Sequence, residues 1–236
     1  MHREYVKWFS PTLNRDMELL IHGHGGMPYL VFPTSMGKFY EFEDRGMVRA
    51  VAGKVAAGHV QFFCIDSVDS ESWYNKGAHP GYRIWRHIEY ENYILNEVLP
   101  MIRHRNWAPR IGVTGASFGA YHCANFAFRH PDLVSDCVAM SGAYDIRQFL
   151  HGYSDQNVYF NCPTDFLPNL TDHETLTRLR AMRIILGTSD WDICLGDTQR
   201  LSGILNSKGV PHWLDIWGGG RLHDWPLWQE MTQKYY

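Results

Sequence analysis

From Pro28 onward the chain repeats one unit, a short apolar run followed by a stretch of helical pattern, and this alternation constrains the fold more than any other feature. Pro28–Phe32, Val60–Asp66, Arg110–Thr114, Asp136–Ser141, Arg183–Gly187 and His212–Trp217 read as strands. Phe39–Ala57, Ile84–His104, Phe118–Arg129, Glu174–Ala181, Thr198–Ser207 and Trp225–Lys234 read as helices. Pro109 and Pro131 follow the second and third of these, and Gly209 with Pro211 closes the fifth. Two earlier runs, Glu4–Ser10 and Met17–His22, are joined by a turn and read as an antiparallel pair. Strands that alternate with helices build a mostly parallel sheet covered on both faces. The expectation is an α/β fold of about eight strands, in one domain over residues 1–236. On such sheets ligands bind beyond the carboxyl ends of the strands, so function is to be sought just after the strand runs.

Composition narrows the classes. Apolar residues at 45% and charged residues at 20% suit a globular chain and exclude disorder, collagen and coiled coil. No uninterrupted apolar stretch approaches the ~18 residues a spanning helix needs, so no membrane span is expected. A net charge of -3 argues against a nucleic-acid partner. The opening MHREYVKWFS has no apolar run after its basic residues, so no signal peptide is read and a cytoplasmic location is expected. Five cysteines without close pairing suggest buried free thiols, not a disulfide framework or a zinc site.

The strongest local signal is Gly115-Ala116-Ser117-Phe118-Gly119, between the strand RIGVT and a helical run. In that context G-x-S-x-G is a nucleophile elbow. The turn is so tight that the residues around the serine must be small, and Gly115, Gly119 and Ala120 meet that demand. The serine oxygen is held at the carboxyl edge of the sheet, and the N–H of Phe118 points into the same space as an oxyanion donor. Without the flanking elements, the same five residues would be no more than a serine-capped helix entry.

A serine hydroxyl needs a base, and the base a carboxylate. On this fold the chain order is serine, acid, histidine. Of the thirteen histidines, His151 and His173 precede the strand RIILG, and His212 begins a strand and reads as structural. His223 lies in GGGRLHDWPLW after the last strand, where the base must sit. The acid should follow RIILG, where Asp190 and Asp192 compete. Spacing leaves that choice open; the aspartate not used reads as solvated or loop-capping.

The constellation resembles the α/β-hydrolases, and more closely the putative-esterase family, which includes esterase D-type S-formylglutathione hydrolases, feruloyl esterases and the antigen 85 mycolyltransferases. The resemblance spans essentially the whole chain and is carried by PYLVFPTSMGKFYEFEDRG, CIDSVDSESWY, GASFGAYHCANFAFRHPD and HDWPLW. It implies Ser117 as nucleophile and His223 as base. The family's Gly-Glu-x-Asp, laid on Ser189-Asp190-Trp191-Asp192, implies Asp192 as the acid, with Ser189 departing from the usual glycine. It also implies a second oxyanion N–H from the loop Pro33–Gly37, by position that of Met36, with Ser35 as neighbour. His22-Gly23-His24-Gly25-Gly26 imitates the HGGG oxyanion motif of other lipases, but reads as a hairpin turn between the second and third strands.

The expected function is serine-dependent hydrolysis of small carboxylic esters through an acyl-enzyme, with no metal and no organic cofactor. Phe39, Tyr40, Trp73, Tyr74, Trp191 and Trp225 are candidate pocket walls. Two other readings compete: an acyltransferase of the antigen 85 kind, and an inactive hydrolase scaffold used for binding. The sequence leaves a homo-oligomer open.

Overall fold

A computed structural model describes residues 2–236. Eight strands form one sheet: β1 (Arg3–Ser10), β2 (Arg15–His22), β3 (Met27–Phe32), β4 (Val60–Ile65), β5 (Ile111–Ala116), β6 (Val134–Met140), β7 (Arg183–Ser189) and β8 (Trp213–Trp217). Their order is β1-β2-β4-β3-β5-β6-β7-β8, and only β2 runs against its neighbours. All eight expected strands are present, and the α/β-hydrolase architecture of the reading is the one observed.

Each strand's composition follows from its place. β3, β4 and β5 lie inside the sheet with helices on both faces, and their residues are almost uniformly buried. β1 lies at an edge and alternates between exposed and half-buried positions, with Arg3, Tyr5 and Lys7 among the former. Side-chain alternation sorts the core into two layers. Leu30, Phe32, Phe63, Ile65 and Val113 point into one, where α4 (Pro80–Tyr93), α5 (Leu99–Arg105) and α6 (Phe118–Arg129) pack. Tyr29, Val31, Phe62 and Cys64 point into the other, beneath α1 (Glu41–Asp44), α2 (Met47–Ala50), α3 (Ala52–Ala56) and α11 (Trp225–Tyr235).

Four features depart from the sequence reading. The expected helix over Phe39–Ala57 is three short ones: Gly46, left-handed at φ 74°, separates the first two, and Val51, non-helical at φ -124° and ψ 24°, separates the second from the third. The helix expected over Ile84–His104 starts earlier, at Pro80, and reaches Arg105 through a π turn at Ile94–Val98. The segment between β6 and β7 holds a 3₁₀ turn (Ile146–Phe149), α7 (Gln156–Phe160) and α8 (Pro163–Asn169) ahead of α9 (His173–Arg180). Lastly, His22–Gly26 is not a hairpin turn. β4 lies between β2 and β3 and pairs with both, so the connection crosses the end of β4. Since β2 runs antiparallel to β4, this glycine loop stands at the amino end of the parallel strands, the end away from Ser117.

After β7 come α10 (Leu195–Ser207), β8 and α11. No helix among the described residues is long and apolar enough to cross a membrane. All five cysteines are buried free thiols.

Candidate active site

β5 ends at Ala116 and α6 begins at Phe118, so Ser117 alone makes the turn between them. Its backbone sits at φ 55° and ψ -122°, a region that L-residues avoid. The surroundings fix it there. Its N–H donates to the carbonyl of Met140 at 2.9 Å, and its own carbonyl accepts from the Ala120 N–H at 3.0 Å. The glycine at 119 is a matter of space: a Cβ there would lie 2.5 Å from the carbonyl oxygens of Phe32 and Pro33. The helix thereby approaches the end of β3 and the loop beyond it.

Ser117, His223 and Asp192 come together from the ends of three different strands. His223 Nε2 lies 2.9 Å from Ser117 Oγ, and its Nδ1 lies 2.8 Å from Asp192 Oδ1. The Asp192 side chain is fully buried, while that of His223 is 17% exposed, so the chain of hydrogen bonds opens to solvent at the serine end. The His223 ring and Trp228 of α11 make a T-shaped contact, their centroids 5.0 Å apart. Burial pushes the Asp192 carboxyl up; hydrogen bonds with His223 and from the Cys194 N–H, with Ser141 alongside, outweigh it and hold the group below the ordinary carboxylate value. Asp192 is therefore ionised at neutral pH. Cys194 is the third member of a cluster of metal-ligating types with Asp192 and His223, but burial pushes its thiol up to about 12, so it carries no thiolate at neutral pH.

Asp190, the other aspartate of this loop, has different partners. Its carboxylate accepts the N–H groups of Gly219 and Gly220, each at 3.1 Å. Both glycines are left-handed, at φ 88° and 71°, and they form the turn that delivers His223. Ser189, which stands in place of a glycine, donates its hydroxyl to the Arg221 carbonyl at 2.5 Å. The departure from the family pattern thus adds a tie between the loop that carries Asp192 and the loop that carries His223.

The loop after β3 corrects one expectation. The Met36 N–H donates to Asp69 Oδ2 at 3.1 Å and is therefore not free to face an oxyanion at Ser117. Its neighbour Ser35 has an N–H with no acceptor among the described residues, and so has Phe118. Thr34 is held on both sides, its N–H and hydroxyl donating to Glu41 at 2.9 and 2.8 Å.

The aromatic walls divide. Trp73 is fully buried against Ile84, Phe118 and Tyr121, which removes it from any pocket. The adjacent Tyr74 is half-buried: its hydroxyl donates to Ser35 Oγ at 2.6 Å and its ring makes a T-shaped contact with Phe118, centroids 5.4 Å apart. Phe39 is half-buried against Tyr5 and Tyr40. Trp191 is 69% exposed. Trp225, with Arg45 stacked over it at 5.4 Å, lines a surface groove of about 630 Å³ that also takes in Asp224, the residue after His223. Tyr40 lines a second groove, bordered by Gly37 and Lys38 of the loop after β3. Neither groove includes Ser117 itself.

The fold is shared with known enzymes. A ferulic acid esterase structure is 18% identical with a TM-score of 0.77, covering 99% of this chain and 96% of that one. An S-formylglutathione hydrolase from Agrobacterium tumefaciens is 12% identical with a TM-score of 0.76, over 99% and 92%. The S-formylglutathione hydrolase FrmB from Staphylococcus aureus is 14% identical with a TM-score of 0.69, over 99% and 97%. The comparison with curated proteins returned no significant match. The family model described as putative esterase matches residues 10–232, nearly the whole chain, and the protein therefore belongs to that family of carboxylic ester hydrolases.

Proposed function

We propose that the protein hydrolyses small carboxylic esters through an acyl-enzyme on Ser117. His223 Nε2 takes the hydroxyl proton as Ser117 Oγ bonds to the acyl carbon, and Asp192 holds the ring and balances the imidazolium. The N–H groups of Ser35 and Phe118 receive the oxyanion, Ser35 replacing Met36 because the latter's N–H is already engaged. The tetrahedral intermediate collapses, the alcohol leaves with the proton from His223, and water enters by the same route in reverse to release the acid. Tyr40, Trp191 and Trp225 flank the acyl or alcohol portion.

The observation that supports this reading best is the unbroken run from Ser117 Oγ to His223 at 2.9 Å and on to Asp192 at 2.8 Å, with the serine held in a conformation it would not otherwise adopt. A fluorophosphonate probe should label the parent and not Ser117→Ala. On aryl esters of increasing acyl length that variant should fold normally and lose about three to six orders of magnitude in kcat. Near-parental turnover by Ser117→Ala would overturn the proposal. The names of the neighbours add hydroxycinnamoyl esters and thioesters to the panel.

A further inference from the structure

Beneath the loop after β3 lies a buried ionisable pair with no place in the mechanism above. Asp69, in the loop after β4, is 1% exposed, and His122, on α6, is 3% exposed. Asp69 Oδ1 meets His122 Nε2 at 2.9 Å, and Asp69 Oδ2 accepts the Met36 N–H at 3.1 Å. Burying a carboxylate costs several kcal/mol unless good partners replace its water. Here the partners are one residue of the helix that begins just after Ser117 and one backbone N–H of the loop after β3, whose start that helix approaches at Gly119. A single side chain thus spans the two elements from which the oxyanion donors come.

What it holds would not hold itself. Met36 is left-handed at φ 54°, a conformation that a residue with a Cβ avoids and that persists only where the surroundings impose it. Ser35 on one side is fixed only through its side chain, by the Tyr74 hydroxyl, while its N–H is unengaged. His122 is packed in turn by Phe118, edge to face at 4.9 Å, and by Phe32 at 5.7 Å, so it moves only with the helix and the end of β3. We propose that Asp69 and His122 are positioning residues that lock the peptide between Ser35 and Met36, and thereby set the distance from the Ser35 N–H to the oxyanion. The inference rests on the serine-hydrolase reading and adds to it a cause for the geometry of the hole.

The test uses the full chain with an aryl ester and with a trifluoromethyl ketone. The ketone carbon bonds to Ser117 Oγ, the hydroxyl proton passes to His223, and the carbonyl oxygen becomes the oxyanion. Asp69→Ala should lower kcat about 30-fold or more, with KM within about threefold, and weaken the ketone by a matching factor. Asp69→Asn keeps an acceptor for the Met36 N–H and should lose only about three- to tenfold. A role confined to stability would lower the melting temperature and leave kcat and ketone affinity within about twofold of the parent, which overturns the proposal. If Asp69→Ala does not fold, Asp69→Asn decides, and parental kcat in it is the overturning result. Ser117→Ala is run in parallel: turnover there defeats the serine reading itself, whereas an inactive Ser117→Ala beside unaffected Asp69 variants defeats only the positioning role.

Discussion

Two aspartates two positions apart divide the labour of one loop. Asp192 faces His223 Nδ1, while Asp190 closes the glycine turn behind it. Asp192→Asn should therefore cost at least ~10²-fold in kcat, by loss of the tautomer and of imidazolium stabilisation, while Asp190→Asn stays within ~10-fold. Steady-state kinetics on variants with matched folding checks the ranking. Asp192 also carries a pH signature. Its folded value lies below the unfolded one of about 4, so its charge stabilises the fold fully above that value, and the contribution is lost as pH falls through the folded value. The melting-temperature gap between the parent and Asp192→Asn should accordingly narrow between pH 7 and pH values below about 4, by differential scanning fluorimetry. A gap that widened on acidification would contradict the depressed carboxyl.

At the scale of elements, the site depends on how closely α6 can approach the end of β3. Gly119 permits that approach, since its missing Cβ would lie 2.5 Å from two backbone carbonyls that cannot step aside as a flexible side chain could. Gly119→Ala should destabilise the protein by about 1–3 kcal/mol, read by urea denaturation, and should also lower kcat because the oxyanion loop moves with Pro33. Sequence reasoning reached this geometry through small residues at fixed offsets from a serine, and strand order with chain order singled out Ser117 and His223, whose side chains lie 2.9 Å apart. It failed where orientation turns on a single torsion or on one face of one loop. Met36 and Ser35 are neighbours, yet the left-handed φ of Met36 commits its own N–H to Asp69. Trp73 and Tyr74 are neighbours too, and opposite sides of the turn send one into the core and the other toward Ser35. Asp69 and His122 were invisible for another reason: a loop aspartate and a helical histidine 53 positions apart share no spacing that sequence could flag.

For the molecule as a whole, the sheet was legible because its inner strands are near-continuous apolar runs, while the connection from β2 to β3 was misread because strand order is a property of pairing and not of succession. The strain is unevenly placed. Non-glycine residues with positive φ are Asn14, Met36, Ser117, Ser141 and His151; Ser117 and Ser141 directly follow β5 and β6, and Met36 lies in the loop after β3. Distortions of this kind cost about 1–3 kcal/mol each. Ser117→Gly and Ser117→Ala both remove the hydroxyl, but only glycine accepts the elbow freely, so the glycine variant should melt above the alanine one in calorimetry despite glycine's greater freedom when unfolded. On the proposed mechanism the elbow is a standing trade of durability against turnover: a search for thermostable descendants of this chain, left without a selection for activity, would drift toward relaxing the serine on which that mechanism depends.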